Sequence, residues 1–75
     1  VNTAYHINLF WSDEEQAWVA DVPDLEPCTT FGASRAEALA KAEALIDLWL
    51  ESARENGDAV PEPRYRPAIY ASRAA

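Results

Sequence analysis

The sequence is short of most residues from which sites are usually built. Its 75 residues include one cysteine, one histidine and two glycines, and no methionine. A single cysteine excludes an internal disulfide. Cys28 and His6 together are too few ligands for a conventional zinc site. With only Gly32 and Gly57, no glycine-rich loop is available to cradle a phosphate. No apolar run approaches the roughly 20 residues needed to cross a bilayer. No signal-peptide pattern is visible, so a cytoplasmic location is expected. Basic residues are also scarce: six Lys and Arg stand against thirteen Asp and Glu, for a formal net charge of -7. Such a balance repels phosphate, so no direct binding of nucleic acid is expected. It suits a basic partner, or simple solubility.

What is present is an ordinary apolar fraction, 49%, enough for one small globular domain over residues 1–75. A chain of this length buries only about 60% of its unfolded surface, and oligomerisation is a common remedy. In "AYHINLFW", Ala4 to Trp11, Tyr5, Ile7, Leu9 and Trp11 alternate with His6 and Asn8, the period of a strand. Phe10 breaks the alternation, which implies some cover on the second face. The polar turn "SDEEQ" leads into a second strand, Ala17 to Val22, making a hairpin. Pro23 and Pro27 force the chain out of that hairpin, and "CTTF", Cys28 to Phe31, reads as a short third strand.

Ser34 followed by Glu37 is a capping box. It predicts a helix from Arg35 to Asn56, stopped by Gly57. Leu39, Ala42, Ile46, Trp49, Leu50 and Ala53 fall on one side of it, widened by Ala38 and Leu45; acidic residues fill the other. Leu48 falls outside this stripe. Three prolines come after the helix, and "AIYAS" reads as a short final strand within residues 64–75, or that segment serves as an oligomer-forming tail. The expected fold is α+β: a three- to four-stranded, mainly antiparallel sheet with one long helix on one face, in the order β-β-β-α-β.

Asp13, Asp21, Asp24 and Glu26 would bind a divalent cation if they converged; at strand ends and in loops, carboxylates are more often solvated. Cys28 as a nucleophile would need His6 as its base, whereas a lone cysteine is commonly a small core hydrophobe. Trp11, Trp18, Trp49, Tyr5 and Phe31 offer stacking surfaces for bases, but no basic groove accompanies them. Catalytic residues, metal ligands and cofactors are therefore expected to be absent.

The order of residues adds to this. Tyr5, then Val22-Pro23-Asp24-Leu25, Cys28, Gly32, Ser34, Glu37-Ala38-Leu39, and finally Pro61 and Pro63 match the pattern of the HicB-like antitoxins of bacterial type II toxin–antitoxin systems. The chain resembles that family from Tyr5 to about Pro67. It departs from it at Pro27, where a glycine is usual before the cysteine, and at Ala33, where an aspartate is usual. The resemblance implies a cut-down RNase H-like fold without working catalytic carboxylates. It also implies a partner, a small basic HicA-type toxin that cleaves mRNA and whose active site the antitoxin covers. The family's longer members carry a DNA-binding domain. Twelve residues come after Pro63 here, too few for a helix-turn-helix, so a short form without operator binding is expected.

Asp13, Glu14, Glu15, Asp24 and Glu26 are the expected partner contacts. Leu48, Tyr65, Ile69 and Tyr70 are the expected self-association residues, giving a homo-oligomer. Two rival readings are a stand-alone oligomeric scaffold without a toxin and a metal-dependent RNase H-like nuclease.

Overall fold

The computed structural model describes residues 4–65. Three strands, β1 (Asn8–Ser12), β2 (Ala17–Asp21) and β3 (Thr29–Gly32), precede one helix, α1 (Arg35–Asn56). The strands form a sheet in the order β1-β2-β3, antiparallel throughout. The α+β architecture expected from the sequence is therefore present. The final strand expected at Ala68–Ser72 lies outside the described residues.

The helix has the bounds its caps dictate. The Glu37 N–H donates to Ser34 Oγ at 3.1 Å, and the Glu37 carboxylate reaches back to the Ala33 N–H at 2.8 Å. The second bond falls one residue earlier than in the standard box. That N–H, and then Lys41, hold the Glu37 carboxyl below the usual carboxylate range. At the other end Gly57 takes a left-handed conformation, φ 73°. Gly57 N–H donates to Arg54 O and Asp58 N–H to Ala53 O, the paired bonds of a Schellman stop.

The first strand is shorter than its alternation suggests. Pairing begins at Asn8 opposite Asp21; beyond Asp21 the chain turns away at Pro23, so residues 4–7 have no partner strand among the described residues. The third strand is shifted by one residue, because Cys28 drops into the core while Gly32 stays paired with Trp18. Asp13–Gln16 form the hairpin turn. Ser12 Oγ accepts from Glu15 N–H there, and Gln16 is left-handed at φ 52°.

Two packed groups hold the helix on. Where it starts, Ala20, Ala38 and Ala42 meet with almost no exposure, flanked by Ile7 and Trp18. Further along, Ile46 and Leu50 pack with Tyr5, Val22, Leu25 and Cys28. The "VPDLEPC" loop is thus the floor of the main core. Burial of Leu25 and Ile46 contributes about 1.5–3 kcal/mol each. Leu39, placed on the buried stripe by its spacing, is 39% exposed. The alanine contacts bring the helix start so close to the sheet that a leucine finds no room beneath.

Gly32 sets that approach. A Cβ built there would lie 2.5 Å from Ala38 N and 2.9 Å from its Cα. Both are helix backbone atoms, which cannot swing aside. Gly32→Ala is expected to lower unfolding free energy by about 1–3 kcal/mol, as overpacking does, read as an earlier urea midpoint. An unchanged midpoint would mean that the helix start is not seated as described.

Candidate partner-binding surface

Of the carboxylates that would have made a metal site, the three aspartates each accept hydrogen bonds of their own. Asp13 Oδ1 accepts from Trp11 Nε1 at 2.8 Å, in the hairpin turn. Asp21 Oδ1 accepts from Thr29 Oγ1 at 2.8 Å, at the other end of β2. Among the described residues no three His, Cys, Asp or Glu side chains stand close enough to hold a metal ion. Cys28 is buried, and burial, then the Asp21 charge, push its thiol pKa up. It is therefore a poor nucleophile at neutral pH. His6 is engaged elsewhere: its Nε2 donates to Asn8 Oδ1 at 2.7 Å, and its ring lies 4.5 Å from that of Tyr65.

Asp24 has a structural task. Its carboxylate accepts from the backbone N–H of Arg64 (3.2 Å) and of Tyr65 (3.1 and 3.2 Å), forty residues away. Nearby, the Tyr5 hydroxyl donates to Pro61 O. Burial, then the Asp24 charge, keep that phenol protonated to higher pH than usual. The segment after the helix is thus strapped across the N-terminal residues and the β2–β3 loop, with Pro61 and Pro63 half-buried along it. Of the expected self-association residues, Tyr65 is used in this strap, Leu48 is 62% exposed on the helix, and Ile69 and Tyr70 lie outside the described residues.

The expected partner contacts divide between the two ends of the sheet. Asp13, Glu14 and Glu15 occupy the hairpin turn, while Asp24 and Glu26 lie in the β2–β3 loop. The structure does not bring them together. Between the two ends lies a surface that strand alternation alone does not reveal. In the strand register Phe10, Val19 and Phe31 stand side by side, on the face opposite to Ala20 and the helix. Phe10 and Phe31 are 49% and 42% exposed, and Val19 is buried between them. Asn8, Asp21 and Thr29 form the next row on the same face. Phe10 carries the one signal, as the residue that breaks the alternation, yet among the described residues no element covers it. On the helix side Trp11 meets Trp18 edge to face at 5.6 Å, and the Arg35 guanidinium sits 4.1 Å above the Trp18 ring.

Compared with known proteins, residues 5–72 match the family described as HicB-like antitoxin of bacterial toxin–antitoxin system. No curated protein and no solved structure matches the chain.

The strap gives a direct test of Asp24. Asp24→Asn keeps the shape but removes the charge and one acceptor oxygen. Stability is expected to fall by about 1–2 kcal/mol, and the Arg64 and Tyr65 amides to exchange faster with deuterated solvent. Exchange at the wild-type rate would show that the carboxylate does not hold the strap.

Proposed function

Because the chain belongs to the HicB-like antitoxins of bacterial toxin–antitoxin systems, we propose that it neutralises a small basic HicA-type ribonuclease by covering that enzyme's active site. The observation that carries this reading is where the negative charge lies. Before Arg35 the sequence has six carboxylates and no Lys or Arg. Among the described residues none of those six is in an ion pair. From Arg35 to the C-terminus the chain holds seven carboxylates and all six basic residues, and so is nearly balanced. The segment that forms the sheet therefore carries a net negative charge of its own. Such a charge speeds encounter with an RNA-binding protein and competes with RNA for the same cations.

Binding rather than catalysis is the chain's own contribution in this reading. The engaged, separated aspartates and the protonated, buried thiol support it, and they weigh against the metal-dependent nuclease. The exposed Leu48 favours a second reading alongside the first: copies of the chain associate through the helix side around Leu48, leaving the sheet layer free. A location in the cytoplasm, where mRNA is cut, goes with the same proposal.

On this proposal a small basic open reading frame is expected next to this gene. Its product, expressed alone, is expected to arrest growth and cleave mRNA. Co-expression of this chain should restore growth, and titration of the purified protein should bring RNA cleavage to zero at a fixed stoichiometry. Undiminished cleavage in the presence of excess protein would overturn the proposal.

A further inference from the structure

Among the described residues, the helix covers one face of the sheet and leaves the other bare. Across that bare face runs an apolar row, one residue from each strand: Phe10, Val19 and Phe31. The two outer rings are nearly half exposed, and the valine between them in the register is buried. Rigid aromatic side chains on a strand scaffold are the usual anchors of protein–protein interfaces. The row is bounded on its own face by Asp21, held in place by Thr29 Oγ1. Beyond the other end of the strands stand Glu14 and Glu15 in the hairpin turn.

We propose that the toxin docks on this bare face, with Phe10 and Phe31 as anchors and the carboxylates at the two sheet ends receiving its cations. This rests on the antitoxin reading above and assigns its contact surface. Charge decides the occupant. Stacked sheets lie about 10 Å apart, little more than the Debye length of about 8 Å at physiological salt. Two copies packed by this face would therefore set two unpaired acidic layers against each other. A basic partner with an apolar centre meets both requirements of the surface at once. Leu48, on the helix side, lies outside this interface.

The experiment measures association of the expected basic toxin, the purified product of the reading frame the antitoxin reading calls for, with the wild type and with variants of this chain by surface plasmon resonance. Phe10→Ser and Phe31→Ser remove side chains that are already exposed, so both variants are expected to fold, checked by urea midpoint. Each should weaken binding about 30-fold or more, mainly through faster dissociation. A turn variant carrying Glu14→Lys and Glu15→Lys is safe for folding. It should slow association about 10-fold and flatten its salt dependence. Leu48→Ser should bind as the wild type does. No complex with the wild type would overturn the antitoxin reading and this proposal together. A wild-type complex that tolerates both phenylalanine substitutions would overturn the docking face alone. Sedimentation of the free chain supplies the remaining outcome. A dimer that dissociates on Phe10→Ser would make a second copy the occupant and overturn the toxin assignment.

Discussion

The backbone of α1 rests on Gly32, and the rest of the molecule is arranged around that contact. No side chain larger than hydrogen fits between β3 and the helix there. The residues around it are correspondingly small: Ala20, Ala38 and Ala42. A helix held this close at its start covers β3 and β2 and leaves β1 largely uncovered, so Leu9 and Trp11 on its helix-facing side remain exposed. Further on, the larger Ile46 and Leu50 reach past the strands to the "VPDLEPC" loop, where the main core forms. One helix cannot serve both faces of a sheet. The face it leaves bare, with Phe10 and Phe31, is a consequence of the same seating.

The motif residues by which the family is recognised serve mostly to build this frame. Tyr5, Val22, Leu25 and Cys28 are core. Asp24 ties the segment after the helix to the loop, and Tyr5 ties it to the N-terminal residues. Ser34 and Glu37 start the helix. The surface that would meet a partner lies largely outside that set, at Phe10, Glu14, Glu15, Asp21 and Phe31. In the proposed reading, frame and contact surface are therefore made of different residues.

Legibility in the sequence tracked the range of the interactions. The helix was readable to the residue, because Ser34, Glu37 and Gly57 act within one turn of its ends. Strand ends were less so, since the extent of β1 depends on where β2 turns away, not on residues 4–7 themselves. The role of Asp24 was hidden because its donors, the Arg64 and Tyr65 amides, are forty residues distant. The bare face was hidden for another reason. Val19 and Ala20 are neighbours and both apolar, so the alternation in β2 does not say which side the helix will cover. The small residues at Ala20, Gly32 and Ala38 decide it, and their meaning appears only when the three are seen together.

A negatively charged sheet layer thus carries an apolar row that the helix never reaches, and the bare face is the proposed working surface of the module. Hydroxyl-radical footprinting of the chain, free and in complex with the proposed basic toxin, tests this at side-chain resolution. Oxidation of Phe10 and Phe31 should fall several-fold in the complex, while that of Leu48 stays at its free-chain level. Protection of Leu48, with both phenylalanines still oxidising freely, would contradict the proposal.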